Sequence, residues 1–363
     1  MPDAHSWKTG VTRLVLLGGG HAHALVLLQL RRLFPQDLEV KLVTPHPVHT
    51  YSGMVPGVVA GHYRVAEAQI DLARLAARAG VGLVLGSVRT FDVDAKCIWL
   101  EDGSSIAYDI ASLNTGSLPA TQVPGSAEHA LGIKPFEAFM QQWEARGLSA
   151  RRIAVVGAGA AGIEMAMAIR YRLPSATLFL FSDRPMFSGA LAARLSRALD
   201  RCGVEFRSDA AVMALEPGPV VVTQRGREPC DLVLWTAGAA AQPWLKNSGL
   251  QTDAAGFVLV DPALRSYSHP DVFAAGDSAT LRDARHPKSG VYAVRHAPVL
   301  AANLVNLLQG RQMTDYAPQS RQLALISCGA KYAIASRGGW SAEGAWVWRW
   351  KNWLDRRWIA RFS

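Results

Sequence analysis

Cysteine is scarce: the 363 residues hold four, Cys97, Cys202, Cys230 and Cys328, with no C-x-x-C among them. Thiols so few and so scattered exclude a disulfide-stapled secreted scaffold and a clustered zinc site, and they match the usage of a reducing compartment. Also missing is any apolar run near the roughly 18 residues that span a bilayer. The opening MPDAHSWKTG carries no apolar stretch of its own, so neither a signal peptide nor a transmembrane helix is expected. Acidic residues are outnumbered, 29 Asp plus Glu against 38 Lys plus Arg, for a formal charge of +9. That balance suits an anionic partner such as nucleic acid, acidic lipid or a phosphate-bearing cofactor. No recognisable nucleic-acid module accompanies it, which sets the first of these aside. What is present is 50% apolar residues with 32 Gly and 19 Pro, the composition of a folded chain long enough for two or three domains.

The apolar pattern then organises itself twice in the same way. Thr12 to Leu17 reads as a strand that ends at Gly18-Gly19-Gly20, an apolar segment from Ala22 to Leu33 has helical spacing, and Leu38 to Val43 alternates as a second strand. Far along the chain, Arg152 to Val156, the turn Gly157-Ala158-Gly159-Ala160-Ala161-Gly162, Ile163 to Arg172 and Ala176 to Phe181 repeat that order. Each is a βαβ unit of a parallel sheet, and their separation is that of two nucleotide-binding domains rather than a solenoid repeat. Three further strands open into small residues: Ile110 to Ser117, Leu232 to Gly238 and Val272 to Asp277. A helix is expected over about 291–308, and the composition changes after residue 310. The fold class expected is α/β with two Rossmann-like domains. A discontinuous first domain (1–118 and 257–310) would carry the second (119–256) as an insertion, followed by a small C-terminal module (311–363).

In a dinucleotide fingerprint the first glycine permits the turn, the second lets a pyrophosphate approach the backbone, and the third lets helix and strand pack closely. Gly157, Gly159 and Gly162 supply all three. The first turn supplies Gly18 and Gly20 but has His23 in third place. It also lacks the acid expected at the end of the second strand, where Thr44 stands. His21 and His23 have no metal-ligand partners at a fitting spacing, no metal site is expected, and a structural role is the plain reading of both. The second unit ends in Ser182-Asp183-Arg184. Asp183 favours unphosphorylated NADH while the neighbouring arginine can accept a 2′-phosphate, and the reading leans to NADH.

Two dinucleotide sites in one chain make chemical sense when one holds a flavin and the other brings a hydride to it. The succession GGGHAH, NTG, GAGAAGIE, TAG and AAGD resembles the two-dinucleotide-binding-domain flavoproteins of the pyridine nucleotide-disulfide oxidoreductase superfamily, over about residues 12–310. Within it the chain is most similar to type II NADH dehydrogenases and their sulfide:quinone relatives. Tyr51 to Gly57, Pro287 to Ala293 and the Trp- and Arg-rich end resemble the flavoprotein module associated with selenophosphate synthetase. The resemblance implies FAD on Gly18, Gly20 and His23, with Thr44 by the adenosine ribose, Gly116 and Gly290 against the cofactor, and Gly276 and Asp277 over the ribityl chain. It implies NADH or NADPH on Gly157, Gly159, Gly162, Asp183 and Gly238. For the chemistry it points to Lys288 beside the flavin, Glu164 on the nicotinamide carboxamide and Tyr51 over the flavin's other face.

The cysteine pair that disulfide reductases of this type need is absent, which excludes that branch. A sulfide:quinone activity would rest on Cys328 without an evident partner. A quinone-type acceptor is the leading expectation, with electrons passing from NAD(P)H through FAD. The alternative is a nucleotide-binding redox sensor that turns over negligibly, suggested by the missing ribose acid and by His23. Trp346, Trp350 and Trp353 share one helical face beside Arg349, Lys351, Arg356, Arg357 and Arg361. That face fits either peripheral contact with an anionic membrane or docking on the protein's own core. The expected location is cytoplasmic, including the cytoplasmic face of the membrane, and no obligate protein partner is evident.

Overall fold

A computed structural model describes residues 11–35, 38–184, 187–284, 286–319 and 322–363. The opening ten residues, on which the expectation about a signal peptide rests, lie outside them. In chain order the elements that matter begin with β1 (Thr12–Leu17), α1 (His21–Leu33), β2 (Leu38–Thr44), α2 (Leu72–Ala79), β3 (Gly82–Leu85) and β4 (Ile110–Leu113). Next come β5 (Leu131–Gly132), α3 (Phe136–Arg146), β6 (Arg152–Val156), α4 (Ala160–Arg172), β7 (Thr177–Phe181), α5 (Gly189–Cys202), β8 (Val204–Arg207) and β9 (Leu232–Trp235). The chain closes with β10 (Val272–Ala274), α6 (Gly290–Leu308), β11 (Ala324–Ser327), β12 (Ala333–Arg337), β13 (Trp340–Gly344) and α7 (Ala345–Ile359).

The first sheet is parallel and five-stranded, in the order β10-β4-β1-β2-β3. The second, also parallel and five-stranded, has the order β5-β9-β6-β7-β8. Because β10 follows all of the second sheet in sequence yet pairs with β4, the second sheet is built from an excursion out of the first. The near-continuous apolar strands LVLL and IAVV are buried from end to end, as parallel strands covered on both faces must be. Helix α6 is long and apolar enough to cross a membrane by length and composition. Its Ala297, Leu300, Ala301 and Leu304 are instead fully buried in the first core, against α1 and the first sheet.

The C-terminal segment is less independent than a third module would be. Strands β11, β12 and β13 form an antiparallel sheet. Ile326, Cys328 and Ile334 join the core of the second sheet, while Trp358 and Phe362 join that of the first. The segment thus packs into both units.

Candidate functional site

Both glycine turns owe their tightness to what stands opposite. A Cβ on Gly20 would lie 2.4 Å from Asn114 Oδ1 and 2.6 Å from the Asn114 carbonyl. Only a bare backbone fits between α1 and β4. The Asn114 amide is the clamp that makes this approach: Oδ1 accepts from the backbone N–H of Ala22 (3.0 Å) and His23 (3.3 Å), capping α1, and Nδ2 donates to the Ala275 carbonyl (2.9 Å). In the second turn a Cβ on Gly162 would fall 1.8 Å from the Gly157 carbonyl. The third glycine there is required by helix–strand contact, as the fingerprint predicts.

His23 reaches the third place of the first turn without a clash because it lies sideways. It is fully buried, its Nδ1 donates to the Gly18 carbonyl (2.6 Å), and its Nε2 then accepts from the Ser112 hydroxyl (2.9 Å). Burial takes its pKa down to about 4, so it is a neutral strut. The expectation that His23 touches cofactor is therefore corrected: its ring points into the turn and is absent from the cavity wall described next.

Above the first turn opens a cavity of about 660 Å³. It is lined by Gly18, Gly20 and Thr44, by Gly116, Asp277, Gly290 and Gln242, and, from the second unit, by Lys134 and Glu137. Asp277 is anchored there, its Oδ2 accepting from Lys134 Nζ (2.7 Å) and Ser117 Oγ (2.7 Å). The first N–H groups of α6 have no side-chain cap at Ser289, and they stand at this cavity with the helix's positive end. Gly276 stands behind Asp277, where a Cβ would meet Asn114 Nδ2 at 2.7 Å. Gly238 lies outside the wall, close against Ala120.

Lys288 is a second correction. Its Nζ donates to the Ala279 carbonyl (2.6 Å) and Thr280 Oγ1 (2.9 Å) and lies over the Phe257 ring, outside the cavity wall. Burial lowers its pKa to about 8. Nearness in sequence to α6 gave no direction to the side chain, and the ammonium that does reach the cavity is that of Lys134.

Tyr51 and Glu164 face a buried polar knot under α7. Tyr51 Oη donates to Asp355 Oδ1 (3.2 Å), and Lys351 Nζ donates to Asp355 Oδ2 (2.7 Å) and to the Gly53 carbonyl (2.7 Å). Glu164 Oε1 accepts from the backbone N–H of Ser327 (2.8 Å). Burial raises the pKa of Glu164, of Asp355 and of Tyr51, with Lys351 opposing the shift at both carboxylates. Tyr51 packs its ring on His21 and Trp358 rather than on the cavity wall. At the tip of β7, Asp183 pairs with Arg184 (3.0 Å), both exposed. Gly159 has open space around its missing Cβ, while Gly157 is hemmed in by Ala237. The four cysteines are free, and Cys328 is buried with its pKa pushed up to about 12 by burial, its Sγ directed at the Ile326 carbonyl. Among the described residues no group of His, Cys, Asp and Glu could hold a metal.

Two parallel sheets, each followed by a glycine turn and a helix, with a large cavity running from one turn to the other unit, define a protein of the two-nucleotide oxidoreductase class. The family model for pyridine nucleotide-disulphide oxidoreductases matches residues 12–297, and the chain belongs to that family. Among curated proteins it is 25% identical to the NADH dehydrogenase-like protein YutJ of Bacillus subtilis, over 85% of this chain and 86% of that one. It is 26% identical to the demethylphylloquinone reductase NdbB of Synechocystis, over 88% and 85%. Among solved structures it superposes on NDH2 of Plasmodium falciparum in complex with NADH, with TM-score 0.81, 12% identity and 97% of each chain covered. The sulfide:quinone oxidoreductase of Aquifex aeolicus gives TM-score 0.80 at 17% identity, over 97% of this chain and 91% of that one.

Proposed function

We propose that the chain is an FAD-dependent NAD(P)H:quinone oxidoreductase. The observation that carries this reading is the cavity at Gly18 and Gly20, lined as well by Lys134 and Glu137 of the second unit. The two turns supply two nucleotide cradles, and the cavity is where their ligands would meet. FAD fits the residues present: backbone at Gly18 and Gly20 for the pyrophosphate, Thr44 for the adenosine ribose, Asp277 for the ribityl hydroxyls, and the positive end of α6 for the flavin ring. On this reading 1–118 with 257–310 hold the flavin and 119–256 the nicotinamide nucleotide. A bound flavin supplies the chemistry, taking a hydride and passing two electrons on.

The chain's own residues bind and orient. Lys134 and Ser117 hold the Asp277 carboxylate in one position, the first turn of α6 offers donors where negative charge gathers on reduction, and Asp183 selects NADH. Quinone is the acceptor class, by likeness to relatives named NADH dehydrogenase-like, demethylphylloquinone reductase and alternative NAD(P)H-ubiquinone oxidoreductase. The exposed side of α7 gives such an acceptor a route from lipid. Trp346 and Trp353 stand about half exposed with Arg349 and Arg357, while Val347, Lys351, Asp355 and Trp358 are buried on the other side. Trp350 is partly buried against the C-terminal sheet, so the helix both docks and presents an aromatic, basic edge suited to an anionic membrane on its cytoplasmic face. The test is oxidation of NADH by purified protein with added FAD. Turnover with a soluble benzoquinone is expected, and the absence of turnover with every quinone supplied would refute the assignment in favour of a sensing role.

A further inference from the structure

A dinucleotide fold ordinarily ends its second strand on an acid that holds the adenosine ribose, and here that place belongs to Thr44. Thr44 is buried on the cavity lining and offers one uncharged hydroxyl. The main chain brings a carboxylate close to it from another part of the sequence. The Gly86 N–H donates to the Thr44 carbonyl (3.0 Å), and the Glu101 N–H donates to the carbonyl of Ser87, the residue after Gly86 (2.9 Å). Beyond this point the chain forms an antiparallel hairpin, strand Val88–Asp92 against Cys97–Leu100 with Val88 opposite Leu100. That pairing holds Glu101 beside Ser87, two main-chain hydrogen bonds from the end of β2. Thr44, Gly86, Ser87 and Glu101 all line the cavity.

Three carboxylates line it, and two are already engaged. Glu137 accepts from the backbone N–H and the hydroxyl of Thr50 (2.9 and 2.8 Å), and Asp277 accepts from Lys134 and Ser117. Glu101 makes no side-chain hydrogen bond or ion pair among the described residues, and it is exposed, so a ligand in the cavity can reach it. Arg89 of the same hairpin also lines the cavity and is exposed, yet the two side chains do not pair. The Glu101 carboxylate therefore keeps its full acceptor capacity.

We propose that Glu101 is the acid that receives the adenosine ribose of FAD, supplying from the hairpin what the end of β2 lacks, and so favours FAD over FMN. This rests on the flavin reading above. A carboxylate accepts from both ribose hydroxyls at once, and hydrogen bonds to an ionised acceptor are the stronger kind. Thr44 adds one neutral partner. FMN ends at its phosphate and has no adenosine, so the contact acts on FAD alone.

The sign of the effect separates this role from that of a bystander charge. The pyrophosphate of FAD is anionic, and a carboxylate near it that made no contact would only repel it. Neutralising such a bystander would tighten FAD binding, whereas neutralising a ribose acceptor loosens it.

The test is titration of the full chain, freed of flavin, with FAD and with FMN, followed by the quenching of flavin fluorescence. Glu101→Gln keeps the shape of the side chain and removes its charge; Glu101→Ala removes both oxygens. Glu101 is exposed and unpaired, so the Tm of the flavin-free variants should match that of wild type. Wild type should bind FAD more tightly than FMN. In E101Q the Kd for FAD should rise about 10-fold, the scale of one hydrogen bond to a charged group, and in E101A at least as much. The Kd for FMN should stay within about twofold, the scatter of a surface substitution. FAD binding unchanged or tightened in both variants overturns the assignment, as does an equal loss for FAD and FMN or a wild type that does not prefer FAD. A wild-type chain that binds neither flavin would instead overturn the flavin reading itself.

Discussion

Removing the Lys351 ammonium probes how α7 is held. Its Nζ is 2.7 Å from Asp355 Oδ2 and 2.7 Å from the Gly53 carbonyl, and the Lys351 and Asp355 side chains are only 10% and 7% exposed. Lys351→Met leaves a carboxylate, a carbonyl and the Tyr51 hydroxyl facing one another in a place with little water. Breaking a buried pair from one side costs about 3–5 kcal/mol, which for a chain of this size is a drop in Tm of roughly 4 to 7 °C. The sign of the pH dependence follows from burial. The folded-state pKa of Asp355, like that of Glu164, is already raised, with Lys351 holding it down. Loss of the lysine raises both further. A carboxyl with a raised folded pKa weakens the fold in full above that folded value, and the penalty fades as pH falls from there to the unfolded value of about 4. The deficit of Lys351→Met should therefore be largest near pH 8 and shrink near pH 5, as read by thermal unfolding followed in the near-UV. Combining Lys351→Met with Asp355→Leu should recover most of the loss, because neither member of the pair then leaves a charge buried. A deficit below about 1 kcal/mol, or one equal at the two pH values, would refute the reasoning.

Gly20→Ala should abolish flavin retention, since its methyl would press on Asn114 Oδ1 at 2.4 Å; the ratio of flavin to protein absorbance after gel filtration measures it. Asp183→Ala should raise KM for NADH about 10-fold or more, the value of a lost charge-assisted hydrogen bond. It should leave KM for NADPH nearly unchanged, and equal effects on both would remove Asp183 from the ribose site. Replacing exposed Trp346 and Trp353 by Ser should cut co-sedimentation with vesicles rich in anionic lipid without lowering Tm, and unchanged sedimentation would mean that this edge does not meet membrane.

What could be read from the chain alone was whatever is local. Strands β1 and β6, both glycine turns and α6 announce themselves by period and by glycine within a residue or so of where they lie, while β4, β9 and β10 start where expected and end three or four residues earlier. The residues that shape the cavity are not local. Asn114 clamps a helix 92 positions earlier in the chain, and Lys134 meets Asp277 from 143 positions away. Asn114 shows in the sequence only as the start of the NTG segment, with nothing to say what it clamps, and Lys134 has no signal beyond its residue type. Lys288 was misplaced because its distance along the chain from α6 says nothing of rotamer, and a backbone carbonyl nearer by took its charge. In α7 the tryptophan stripe drew attention to one side only. The buried side carries a lysine and an aspartate, which no hydrophobic pattern predicts, and only the contact with Tyr51 and Gly53 explains them. His21 could be seen as one of two histidines in the turn, but that its Nε2 lies buried without a hydrogen-bond partner shows only in three dimensions.

The central claim is that one chain brings a flavin and a nicotinamide nucleotide into hydride contact. Anaerobic titration of the FAD-loaded protein with NADH, followed in the flavin band at about 450 nm, tests it without any acceptor. Bleaching complete near one equivalent, reversed on adding quinone, is the predicted result. A flavin that binds firmly and stays oxidised under excess NADH and NADPH would contradict the account.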